Sequence, residues 1–130
     1  IPVQFELAEK AYTKSKPYKD EHPSYFALAA NDLARRLLAK GEKMRSLALL
    51  REVADAAAAR RNFLVNKSPE GSLETERFAL MSAQSRVLIV GLGKGGGKRP
   101  TDWADAERSI ALVSPALQVN LTRALRAEGR

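Results

Sequence analysis

The chain has 130 residues, no cysteine, and 22 Lys/Arg against 15 Asp/Glu, a formal charge of +7. That length suits one domain able to bury roughly 65–70% of its unfolded surface. The missing cysteines exclude disulfides and thiolate metal sites, and no apolar run approaches the ~18 residues of a bilayer span.

The opening residues IPVQFELAEK lack the basic flank and apolar block of a signal peptide. The expected setting is therefore soluble, reducing and cytoplasmic, with no membrane partner. A start at Ile1 rather than Met leaves open that the chain is a piece of a longer protein. Residues 23–99 hold 14 Lys/Arg and 7 Asp/Glu, while residues 1–22 and 100–130 are each balanced at 4 against 4. The excess charge sits in the middle and draws polyanions, nucleic acid first.

Val3–Thr13 reads as a short helix, with Val3 and Leu7 on one line and Phe5 and Tyr12 flanking it. Lys14–Pro23, KSKPYKDEHP, has two prolines and no apolar periodicity, so it reads as an exposed, mobile connection. Ser24 is placed to cap a helix over Tyr25–Lys40, whose buried stripe is Phe26, Ala30, Leu33 and Leu37, and Gly41 supplies its stop. Arg35, Arg36 and Lys40 lie off that stripe, and Lys43 and Arg45 follow past the turn, making this corner the densest basic patch.

Glu42–Asn66 is the longest stretch free of Gly and Pro and predicts the central helix. Leu47, Leu50, Ala54, Ala57, Arg61 and Leu64 form one stripe, and Leu49, Val53, Ala56 and Phe63 an adjacent one. So wide a face needs neighbours on more than one side. The thin run Ala54–Ala59 admits close approach by another helix.

Ser68 and Pro69 fit the N-cap and first residue of the next helix, over Leu73–Val90, which aligns Phe78, Met81, Ser85, Leu88 and Leu92. The run Val87–Val90 fits a short strand equally well. Gly91–Pro100, with five glycines, reads as a flexible basic linker. Thr101 is placed to cap a helix aligning Trp103, Ala106, Ile110 and Val113, and Ser114-Pro115 starts a last one through Leu117, Leu121, Ala124 and Leu125.

The expected fold is all-α, a compact helical bundle of five to six helices. Residues 1–92 form the main bundle, 93–100 a Gly/Lys-rich linker, and 101–130 a C-terminal helical pair packed on the same core. Phe26, Leu33, Leu37, Leu47, Leu50, Val53, Phe78, Met81, Leu88, Trp103, Ile110, Leu121 and Leu125 are its core candidates.

Motifs for chemistry are weak. VLIVGLGKGGG spaces Gly91, Gly93 and Gly96 like a dinucleotide-binding loop. However, Lys98, Arg99 and Pro100 delay the helix that should follow, and no acidic residue lies between Arg108 and Ala127 to take a ribose. A helix end with a linker is the simpler reading, so no cofactor is expected. His22 is the only histidine, which argues against a metal centre or a histidine-based nucleophile. The carboxylate pairs Glu6/Glu9, Glu74/Glu76 and Asp102/Asp105 lie near helix starts, where the macrodipole accounts for them. No enzyme is expected.

The basic residues remain: Arg35, Arg36, Lys40, Lys43 and Arg45 at one corner, Arg60, Arg61 and Lys67 at the far end of the central helix, and Lys94, Lys98 and Arg99 in the linker. Either they are a solvated face kept for solubility, or they lie along a phosphate backbone and release its counterions. The first expectation is a nucleic-acid-binding domain of weak sequence selectivity, with Tyr18 and Tyr25 as candidates for base stacking. The alternative is an interaction module that docks on an acidic protein or on the remainder of its parent chain, through the stripe of Trp103, Ile110, Leu117, Leu121 and Leu125.

Overall fold

The computed structural model describes residues 2–68 and 72–129. Among these there are six α-helices, one short 3-10 turn and no strand: α1 (Pro2–Ser15), α2 (Pro23–Ala39), α3 (Lys43–Lys67), α4 (Leu73–Gly93), α5 (Asp102–Ala111) and α6 (Pro115–Glu128), with the 3-10 turn at Lys16–Tyr18. The fold is all-α, and Val87–Val90 is helix, continuous with the rest of α4. None of the described helices is long and apolar enough to cross a membrane.

The turn between α2 and α3 follows from one residue. Gly41 takes φ +82°, its amide reaches the Leu38 carbonyl at 3.0 Å, and the Glu42 amide reaches the Leu37 carbonyl at 3.0 Å. This is a Schellman motif, and it folds α3 back along α2. Small residues then let the backbones approach. Ser46 Oγ donates to the Ala34 carbonyl at 2.9 Å, and Ala27, Ala30, Ala34, Ala54 and Ala57 are wholly buried in the seam. On the other side of α3, Ser82 Oγ of α4 donates to the Ala54 carbonyl at 3.0 Å. Phe26, Leu33, Leu37, Leu50, Val53, Phe78 and Ile89 fill the space between these three helices, with α1 closing it through Ala8, Phe5 and Tyr12.

α4 is the shared wall. Phe78, Met81 and Ile89 face this first core, while Ala79, Ala83 and Val87 face a second cluster with Ala106, Ile110 and Val113 and with Leu121 and Leu125 of α6. A helix buried on two sides must be apolar nearly all round, which accounts for the large aliphatics of Val87–Val90. Of the core candidates, Leu88 is half-buried and Trp103 is 39% exposed, lying at the rim against Gly129.

Several helix ends depart from expectation. α2 begins at Pro23 with His22 in the cap position, one residue before Ser24, because proline's fixed φ and missing amide suit the first helical residue. The connection before it is partly ordered: α1 continues to Ser15, which is buried and donates from Oγ to the Tyr12 carbonyl at 2.8 Å, and Pro17 falls in the 3-10 turn. Ser68 terminates α3, its amide bonding the Leu64 carbonyl at 2.9 Å. The cap of α4 is Ser72, whose Oγ accepts from the Thr75 amide at 3.1 Å. Pro69 lies outside the described residues. Thr101 occupies the cap position of α5 without capping it, since its hydroxyl turns to Asp105 Oδ2 at 3.0 Å.

Candidate nucleic-acid interface

The basic residues divide between the two ends of α3, for Lys43 and Arg60 are about 25 Å apart along the helix axis. At the α2–α3 corner the cations meet carboxylates. Arg36 Nε bonds both oxygens of Asp32, at 3.1 and 3.3 Å. Lys40 Nζ lies 3.9 Å from Glu42 and 4.0 Å from the centre of the Phe5 ring. Arg45 reaches Glu42 at 3.3 Å and Glu9 at 3.6 Å. Arg35 bonds the neutral Asn31 at 3.4 Å, and partial burial lowers its pKa while leaving the guanidinium charged. Lys43 is exposed and makes no ion pair among the described residues.

The glycine-rich segment after α4 lies on the same end. Gly97 sits where an added Cβ would be 2.8 Å from Leu47 and 3.1 Å from Met44, both on the first turns of α3. The segment is held there by a buried ion pair that nothing local in the sequence announces. Arg51 of α3 grips Asp102 of α5 with two bonds, Nη1–Oδ1 at 2.7 Å and Nη2–Oδ2 at 3.0 Å, and its Nη2 also donates to the Gly97 carbonyl at 2.9 Å. The Arg99 amide donates to Asp102 Oδ2 at 2.8 Å. The Arg51 bond holds the Asp102 carboxyl below its ordinary pKa against the opposing effect of burial, and the same bond raises Arg51. Lys94, Lys98 and Arg99 are thereby presented on a clamped loop, all three exposed. Gly91 and Gly93 belong to α4, so no strand precedes them, and the arrangement of a dinucleotide-binding loop is absent there.

The opposite end of α3 is different in kind. Arg60 Cζ lies 5.2 Å and Lys67 Nζ 5.4 Å from the centre of the Phe63 ring, which is 50% exposed. Arg61 Nη1 bonds Asn62 Oδ1 at 3.1 Å. The Nε atoms of both Arg60 and Arg61 are buried and have no hydrogen-bond partner among the described residues. No carboxylate pairs with Arg60, Arg61 or Lys67 among the described residues, although Glu74 and Glu76 occupy the first turn of the neighbouring α4.

Sequence reasoning missed two of these features. It assigned Phe63 to a buried stripe, although its spacing from Arg60 and Lys67, three and four residues, is the spacing of helical neighbours. Asp102 reads from the sequence as a macrodipole residue, and nothing local links it to Arg51, 51 positions away. Elsewhere, Tyr12 donates to Glu52 at 3.0 Å, and burial together with this bond pushes its pKa up to about 12. Tyr18 and Tyr25 are about half exposed, with no cation over either ring among the described residues.

No protein-family model matches the chain, and neither a curated protein nor a solved structure proves similar to it.

Proposed function

We propose that this chain is a nucleic-acid-binding helical domain that grips phosphates through cations at both ends of α3 and carries no catalytic machinery of its own. The observation that supports this reading best is the uncompensated charge of Arg60, Arg61 and Lys67. In a protein at +7, these three cations have no carboxylate partner among the described residues. A cation without a carboxylate partner gains more from a phosphate than one that must first give up an ion pair, and the phosphate's condensed counterions are released on contact.

The corner of Arg35, Arg36, Lys40, Lys43 and Arg45, with Lys94, Lys98 and Arg99 beside it, has a lesser part in this reading. Its exposed ion pairs are worth only about 0–1 kcal/mol each, so a phosphate can displace Asp32, Glu42 or Glu9, but each exchange subtracts from the gain.

Two paired charge reversals test the reading: Arg60→Glu with Arg61→Glu, and Arg35→Glu with Arg36→Glu, each titrated against labelled single-stranded DNA, duplex DNA and RNA by fluorescence anisotropy. Both pairs should weaken binding to every sequence alike, the first by more than the second. Wild-type affinity in both double variants would remove the assignment.

A docking module for an acidic protein, or for more of a parent chain, is the second reading. It retains the exposed Trp103, Leu112, Leu117 and Val119 of the α5–α6 hairpin. Ile110, Leu121 and Leu125 turn inward against α4, which removes most of the stripe expected to dock.

A further inference from the structure

We infer that the C-terminal tip of α3 is a single-strand site, in which Phe63 stacks on an unpaired base while Arg60 and Lys67 hold the phosphates on either side of it. This deepens the nucleic-acid reading and rests on it. Two observations carry the inference. A large aromatic is half exposed beside cations that meet no carboxylate among the described residues. Burying that ring in the core would be the ordinary fate of a phenylalanine in a long helix. Here two cations lie within 5.4 Å of its centre, so the ring is already a π-face in a positive field.

Geometry matches the strand. Arg60 and Lys67 are two helical turns apart, about 10 Å along the axis, with Phe63 between them. Asn66, exposed and three residues on from Phe63, adds an amide on the same face that can donate to or accept from a base edge. A base laid on Phe63 takes over the ring face from one of these cations, and that cation turns to the adjoining phosphate. Duplex DNA offers no such contact, because its bases are stacked on one another and only its phosphates are within reach. An unpaired strand of either DNA or RNA has both. Tyr18 and Tyr25, equally exposed, lack cations over their rings among the described residues, which is why the stacking site is placed at Phe63.

The test compares wild type with Phe63→Leu and Phe63→Trp, each confirmed folded by circular dichroism, against a labelled single-stranded DNA, the same sequence as RNA, its abasic counterpart and a duplex. Stacking on an aromatic is worth roughly 1–3 kcal/mol per base, a factor of about 5 to 150 in affinity. Phe63→Leu should lose that factor on single strands and nothing on the duplex or the abasic strand, whereas Phe63→Trp should bind single strands at least as tightly as wild type. Unequal losses on DNA and RNA would say which strand the site prefers. If Phe63→Leu binds single strands like wild type, or weakens single and double strands equally, the stacking site is wrong while phosphate binding stands. If wild type shows no salt-dependent affinity for any of the four, the nucleic-acid reading fails and takes this site with it.

Discussion

Arg51 and Asp102 show how one side-chain pair can position a whole segment. Both are largely buried, at 11% and 4% exposed, and each satisfies further groups: Arg51 the Gly97 carbonyl, Asp102 the Arg99 amide. Removing one partner leaves a buried charge uncompensated, so Asp102→Asn should lower unfolding free energy by about 3–5 kcal/mol at neutral pH. The folded-state pKa of Asp102 lies below its ordinary value of 3.8. Its contribution is therefore complete above that value and is lost as pH falls through the folded pKa. Denaturant titrations of wild type and variant should differ fully at pH 7 and converge in acid; a difference under about 1 kcal/mol at pH 7 would show that the clamp is dispensable. Phe63 teaches the complementary lesson, for its local neighbours at three and four residues were readable all along. The wide apolar stripe suggested a buried ring, but α3 has 25 residues against the 17 of α2, and Phe63, near its end, is 50% exposed.

Among the elements, α2 and α3 were legible because periodicity, a long run without breakers and one glycine all agree. The starts of α2 and α4 moved where two signals compete within a few residues: Pro23 beside Ser24, and Ser72 after Ser68. The strand alternative at Val87–Val90 could not be settled locally, since continuous apolarity marks both a buried strand and a helix packed on two sides. The two-sided burial of α4 depends on α5 and α6 returning to it, and the Arg51 clamp ties the start of α5 to α3 through residues distant in sequence. The glycine-rich segment is likewise more specified than its composition suggests. Gly97 has φ +77° with Leu47 and Met44 close by, whereas Gly41 has φ +82° with open space around it. Gly41→Ala should carry only the left-handed backbone cost of about 1–2 kcal/mol, and Gly97→Ala that cost plus the displacement of Leu47. Thermal melts of the two variants measure this directly, and equal midpoints would mean that the segment yields freely.

At the scale of the molecule, the charge reads differently from the sequence and from the fold. In the sequence it forms one central excess; in three dimensions it splits into a corner whose arginines and Lys40 largely meet carboxylates or Asn31, and a tip whose cations surround an exposed ring. The pairing of Arg36 with Asp32 is readable at four-residue spacing, but Arg45 with Glu9 needs α1 laid against α3. Charge left without a carboxylate partner among the described residues is the part most available to a polyanion. The most direct measurement is the affinity of the wild-type chain for single-stranded nucleic acid as a function of salt between about 50 and 200 mM. Each phosphate neutralised on a single strand contributes roughly −0.7 to the slope of log affinity against log salt, so the tip alone predicts a slope near −2 and both ends together a steeper one. A slope indistinguishable from zero, or affinity no greater than that of an unrelated protein of equal charge, would contradict the account and leave the basic residues as a solvated surface.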